Sequence, residues 1–140
     1  MTWKIRVHAY MTVNPHAIER HQPLSEAHEL MRQHGIRHLP VLDSGRLVGL
    51  VSQRDLHLLE SLPSVDPDQV PVEDAMSADV YVVAPHAILA KTVGEMLERK
   101  LGSAVVMQGT EVIGVFTTID ALSALYDCLK GQHPSTHPGL

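Results

Sequence analysis

The chain has 140 residues, 44% of them hydrophobic, 10 histidines, a single cysteine and a formal net charge of −5. That is enough apolar material for one ordinary globular core or two half-size units sharing one, without disulfide staples. The acidic balance offers no broad Lys/Arg field for DNA or RNA, and the lone Cys128 cannot form an internal disulfide. No apolar run of signal-peptide or membrane-span length precedes Lys4 and Arg6, so a cytoplasmic protein with no membrane association is expected.

In chain order, Met11-Thr12 opens a segment that continues into the extended apolar pair Ala17-Ile18. LSEAHELMRQH then places Leu24, Ala27, Leu30 and Met31 on one helical face, and Gly35 suits a left-handed C-terminal cap. A short strand, HLPVL, leads through Asp43-Ser44-Gly45 into RLVGLVS, an antiparallel hairpin pattern. A second helix is predicted from Gln53 to about Leu62, where Pro63 discourages continuation. SLPSVDPDQVP, with Pro63, Pro67 and Pro71 among acidic residues, reads as an extended linker. The order then repeats: Met76-Ser77, Val82-Val83, helix ILAKTVGEMLERK, strand AVVM, turn Gln108-Gly109-Thr110, strand VIGVFT and a helix from Thr118 to about Leu129. The tail GQHPSTHPGL has the composition of a disordered end.

The two halves superpose without a gap at the offset that carries Gly49 to Gly114. Val7 then falls on Val72, Leu24 on Leu89, Met31 on Met96 and Val41 on Val106. GLVSQRDL and GVFTTIDA coincide, repeating glycine, a hydroxyl residue and aspartate. A hairpin and two helices cannot bury both faces of so small a sheet, whereas two copies packed together can. The expected architecture is α/β, with two β-α-β-β-α repeats packed in pseudo-twofold symmetry and paired clefts where the sheets meet: copy one at 7–62, linker 63–71, copy two at 72–129 and a disordered tail at 130–140.

The repeated Ser52-x-x-Asp55 and Thr117-x-x-Asp120 admit two readings. Each matches the capping box of a helix start. Each also sets a carboxylate, able to accept from the two adjacent hydroxyls of a ribose, beside free N–H groups at a helix start where a phosphate is favoured.

Taken together, Met11-Thr12, Met76-Ser77, Ile36 to Leu56 and Leu101 to Leu122 resemble a tandem pair of CBS domains, over roughly Val7 to Leu129. The resemblance implies a non-catalytic regulatory module, often a flat homodimer, binding an adenosine-bearing ligand such as AMP, ADP, ATP or S-adenosylmethionine and acting on an unidentified partner protein. It places phosphate near Ser52 and Thr117, ribose on Asp55 and Asp120, and adenine against Pro15, His16 and Ala17 or Val80, Tyr81 and Val82. Basic residues for phosphate would be Arg37 and His38, with Arg54 beside Asp55. The second copy has Gly102-Ser103 and Thr118-Ile119 in the equivalent places, so two equal sites are not expected.

The residue types exclude other chemistries. His34 and His38 are separated by a helix-ending Gly35, and no ligand set including His28, His133 or His137 is completed, so no metal is expected. Ser52 lies on no nucleophile elbow, and no acid, base and nucleophile set is present, so no catalytic cofactor or enzyme activity is expected. The competing reading is a ligand-free interaction or dimerisation module in which the hydroxyl and aspartate pairs only cap helices.

Overall fold

The computed structural model describes residues 4–131; the tail at 132–140, with His133 and His137, lies outside them. The strands are β1 (Thr12–Val13), β2 (Ile18–Glu19), β3 (His38–Asp43), β4 (Arg46–Ser52), β5 (Val82–Val83), β6 (Ser103–Gln108) and β7 (Glu111–Thr117). The helices are α1 (Leu24–His34), α2 (Gln53–Glu60), α3 (Leu89–Arg99) and α4 (Thr118–Lys130). The mixed α/β class and the two repeats agree with the sequence pattern. α1 spans the residues its periodicity predicts and ends at Gly35 in the left-handed region, φ 62°. β4 spans the residues its pattern predicts and β3, β6 and β7 extend beyond theirs by one or two residues, while α2 stops at Glu60, two residues short of expectation.

One compact unit comprises residues 16–80. Its sheet runs β2-β3-β4, with β2 parallel to β3 and β3 antiparallel to β4. Ser44 and Gly45 both carry positive φ (52° and 84°), the conformation of a tight hairpin turn matched to strand twist. Beneath this sheet Ile18, Leu24, Met31, Leu39, Val51 and Leu56 form the core. Met76-Ser77 lies along β4, and Leu50 and Ser77 exchange both backbone hydrogen bonds at 2.9 Å.

The second unit joins the residues up to Pro15 with those from Tyr81 onward. Its sheet runs β1-β7-β6-β5, with β1 antiparallel to β7, over a core that includes Val7, Tyr10, Met96, Val106 and Phe116. The compact units therefore cut the chain differently from the sequence copies. Residues 5–12 work inside the second unit as residues 70–77 work inside the first. Val7 N–H donates to Ala87 (2.9 Å) and Leu89 N–H to Ile5 (2.9 Å), while Val72 N–H donates to Gln22 (2.8 Å) and Leu24 N–H to Val70 (3.0 Å).

The 63–71 segment corrects the expectation of an extended linker. It forms turns, with Gln69 and Val70 N–H donating to Asp66 at 3.0 Å, and its carbonyls cap α1. Pro23 at the start of α1 has no side-chain acceptor, so the helix's first N–H groups need partners. Val70 accepts from Leu24 and Pro67 from Ser25 (2.9 Å). Proline's restricted φ serves a turn as readily as an extended run.

Candidate functional site

In the 16–80 unit, Cα pairing sets His38 opposite Ser52 at one end of the hairpin. There β4 turns directly into α2, and Gln53 N–H donates to the Arg37 carbonyl at 2.9 Å. Parallel pairing of Ile18 with Val41 brings the residues that precede β2 to the same end of the sheet. Arg37, His38, Ser52, Arg54, Asp55, His16 and Ala17 are thus gathered at one strand-to-helix junction. Arg37, Arg54 and His16 are exposed, whereas His38, Ala17, Ser52 and Asp55 are half-buried. The His16 ring stacks on that of His34 at the end of α1, centroids 3.5 Å apart. Pro15, half-buried, closes the preceding segment.

Both capping boxes are fully formed. Ser52 Oγ accepts from Asp55 N–H at 3.1 Å, and Asp55 Oδ2 accepts from Ser52 N–H at 2.8 Å. The second unit repeats this with Thr117 N–H donating to Asp120 Oδ2 at 2.9 Å and Asp120 N–H to Thr117 Oγ1 at 3.5 Å. In Asp55 the box occupies Oδ2, and Oδ1 takes no part in it. Asp120 is only 5% exposed.

Around Thr117 the second unit collects different residues. Ser103, buried, pairs with Thr117, and Thr118 N–H donates to Gly102. The Tyr81 carbonyl accepts from Val105 N–H at 2.9 Å, its ring lies under the Arg99 guanidinium at 5.3 Å, and Val82 pairs with Val105. Val80, half-buried, ends the other unit at this boundary. No basic side chain stands where Arg37, His38 and Arg54 stand in the first copy.

Burial holds the His38 imidazole below its ordinary pKa, with the Arg37 charge acting in the same direction and Asp55 opposing both. A base whose folded pKa is depressed takes up its proton first in the unfolded chain. Its contribution to stability is therefore present above the unfolded value of 6.5 and is lost as pH falls through the folded value. His38→Gln is expected to flatten that loss, read as a smaller drop in urea midpoint between about pH 7.5 and about pH 5.

Two features escaped sequence reasoning. Gly49 and Gly114, read only as matching positions in the two copies, are sites of close approach: Gly49 abuts Met76 and Ser77, and Gly114 abuts Met11 and Thr12. His28 on α1 hydrogen-bonds Glu60 on α2 and stacks on His57, centroids 5.5 Å apart, which joins the two helices of that unit. The separation of His28 from Glu60 by 32 positions left no local signal.

Comparisons with known proteins agree with the fold and the duplication. A family model of the CBS domain matches residues 7–59 and again 72–127. The solved structure of a Vibrio cholerae protein named for acetoin utilization is 33% identical, with TM-score 0.80 over 90% of this chain and 93% of that one. CBSX2, solved in complex with AMP, is 26% identical, with TM-score 0.77 over 89% of this chain and 98% of that one. The A-adding tRNA nucleotidyltransferase of Aquifex aeolicus is 32% identical over 131 residues, 91% of this chain but 15% of that enzyme. The chain spans 15%, 37% and 19% of the first curated relatives it matches.

Proposed function

We propose, for a chain that belongs to the CBS domain family and carries two copies of that domain at 7–62 and 72–129, a regulatory role without catalysis. In this reading it is a cytoplasmic homodimer that binds an adenosine-containing ligand, AMP, ADP, ATP or S-adenosylmethionine, at its strand-to-helix junctions and modulates a partner protein. A regulator can shift its target only through different ligand affinities for two states. Among the described residues no helix is long and apolar enough to cross a membrane, and no cluster of three His, Cys, Asp or Glu side chains could hold a metal ion.

The observation that carries this reading is the gathering of Arg37, His38, Ser52 and Asp55 at the start of α2. A guanidinium binds phosphate as a planar fork, and Asp55 Oδ1 accepts from ribose hydroxyls while Oδ2 keeps the helix start intact. The AMP held by the related CBSX2 supports the ligand class. The junctions are unequal: Asp120 is buried, and Gly102, Ser103 and Ile119 stand where the first copy has Arg37, His38 and Arg54, so the site at Ser52 and Asp55 is the stronger. The complete capping boxes favour a second reading, in which these pairs only start helices and no ligand binds.

Calorimetric titration with AMP, ADP, ATP, S-adenosylmethionine and NADH tests this. At least one ligand is expected to bind wild type, with Asp55→Ala weakening it roughly tenfold or more, the loss of one charge-assisted hydrogen bond. Asp55→Asn keeps an acceptor for Ser52 N–H and is expected to lose affinity without losing the cap. Ser52→Ala separates the roles, with an expected stability loss of ~0.5–2 kcal/mol. If no adenosine ligand binds, or Asp55→Asn binds as wild type does, the assignment fails and the cap-only reading stands.

A further inference from the structure

The two copies close the end of their first helix with the same geometry and different chemistry. In the 16–80 unit the last residue of α1 stacks on the segment that enters β2: the His34 and His16 rings lie 3.5 Å apart and 12° from parallel. The repeat offset carries His16 to Tyr81 and His34 to Arg99, the last residue of α3. There the Arg99 guanidinium lies over the Tyr81 ring at 5.3 Å. Each unit therefore sets an aromatic ring under the final side chain of a helix.

A guanidinium keeps its charge and a phenol its neutrality between about pH 5 and about pH 8, whereas imidazole is the side chain that changes charge there. One proton on the histidine pair is well placed, because the dipole of α1 favours a cation in its last turn. An imidazolium over a neutral ring is also attracted to it, as Arg99 is to Tyr81. A second proton sets like charges face to face at 3.5 Å. The neighbouring elements add to that repulsion: Arg37 and His38 stand at the start of β3 and Arg54 at the start of α2. Of this group only Asp55 is acidic, and its Oδ2 is engaged by Ser52 N–H. Farther back on α1, Glu29 pairs with Arg32, and His28 with Glu60 beside His57. Burial makes His38 resist a proton as well, and its counterpart in the second copy is Ser103.

We propose that the His16–His34 stack is a proton-operated clasp, closed with one proton or none and opened by two, so that acid loosens this corner of the first unit while the matching corner of the second stays shut. The device needs no ligand and stands apart from the ligand reading. Its consequence is that the entry to β2 at His16 and Ala17 and the turn at Arg37 loosen together. Both rings are exposed, so solvent screens the repulsion and the opening is local rather than global.

Matched amides read both corners in one sample. Ile36 N–H donates to Met31 at 3.0 Å and Gln53 N–H to Arg37 at 2.9 Å, while Leu101 N–H donates to Met96 at 2.9 Å and Thr118 N–H to Gly102 at 3.1 Å. Amide hydrogen exchange of the full chain is followed by NMR and expressed as protection relative to the intrinsic rate at each pH. Between about pH 7.5 and about pH 5, Ile36 and Gln53 are expected to lose about tenfold in protection, while Leu101 and Thr118 stay within about twofold. The double variant His16→Tyr with His34→Arg carries the second copy's pair and is expected to lose no more than about threefold, the part that His38 contributes. The reverse exchange, Tyr81→His with Arg99→His, should make Leu101 and Thr118 acid-sensitive by about fivefold. Circular dichroism melts at neutral pH confirm that the variants fold, and the comparison of corners in wild type needs no variant. Equal losses at both corners of wild type, a first-unit double variant as acid-sensitive as wild type, or a reverse exchange without effect overturns the clasp. Ligand titration at a single pH is independent of each result.

Discussion

Replacing Tyr10 by phenylalanine is expected to reduce the free energy of unfolding by about 1.5–3 kcal/mol, the usual cost of losing a hydrogen bond to a charged group. The Tyr10 hydroxyl donates to Asp127 Oδ2 at 2.6 Å across 117 positions of sequence, and the two residues are 1% and 2% exposed. Asp127 lies in the last turn of α4, where the helix dipole disfavours a negative charge. The hydroxyl is thus one of the groups that make burial of this carboxylate tolerable, and it ties the N-terminal segment to α4 within one unit. Thermal melts should show a shift of several degrees for Tyr10→Phe. Tyr126→Phe, at an exposed position, should stay within about 0.5 kcal/mol of wild type. Burial and then the Asp127 hydrogen bond hold the Tyr10 phenol above its ordinary pKa. An acid shifted upward stabilises the fold below its unfolded value of 10.0, and that stability is lost as pH rises further. Wild type should therefore lose stability above pH 10.0 more steeply than Tyr10→Phe. An unchanged melting temperature in Tyr10→Phe would show that the pair contributes nothing net.

A comparable loss, about 1–3 kcal/mol from overpacking, is expected for Gly49→Ala. A Cβ there would stand 2.9 Å from both Met76 Cγ and the Ser77 carbonyl oxygen, and closer still to Met76 Sδ. The methionine can swing away, but the carbonyl is held by its hydrogen bond from Leu50, so the added methyl strains that backbone pairing. Gly114→Ala should be milder. Its obstacles are Met11 Sδ at 2.7 Å and the Thr12 carbonyl at 3.1 Å, and the nearer of the two is a flexible side chain. Met11→Ala is therefore expected to rescue Gly114→Ala more completely than Met76→Ala rescues Gly49→Ala. Gly94 on α3, with open space around it, supplies the opposite control. Gly94→Ala should raise stability by roughly 0.5–1 kcal/mol through helix propensity alone. Denaturant midpoints decide the matter, and a Gly49→Ala variant as stable as wild type would mean that the approach of Met76-Ser77 to β4 is not tight.

These contacts also explain the repeated motif. In GLVSQRDL and GVFTTIDA the glycine makes room for the neighbouring Met-Ser or Met-Thr segment, and the hydroxyl and aspartate start the helix three residues later. The ligand chemistry proposed above adds Arg37, His38 and one carboxylate oxygen outside the box to a junction already held together by packing and capping.

The duplication, the order of elements, α1 with its Gly35 cap and both capping boxes follow from residues within a few positions of one another, so they can be read along the chain alone. Periodicity, turn residues and an i, i+3 hydroxyl and carboxylate pair are local quantities. Three other features emerge only on folding. Residues 5–15 pack with the second copy, the 63–71 segment closes the start of α1, and burial separates Asp120 from Asp55 and pushes down the pKa of His38. Each depends on which distant segment supplies an acceptor or excludes water at a given place, and spacing along the chain does not encode that. The histidine clasp lies between the two kinds: His16 against Tyr81 and His34 against Arg99 are visible in the aligned repeat, but only the folded unit shows that the two rings meet.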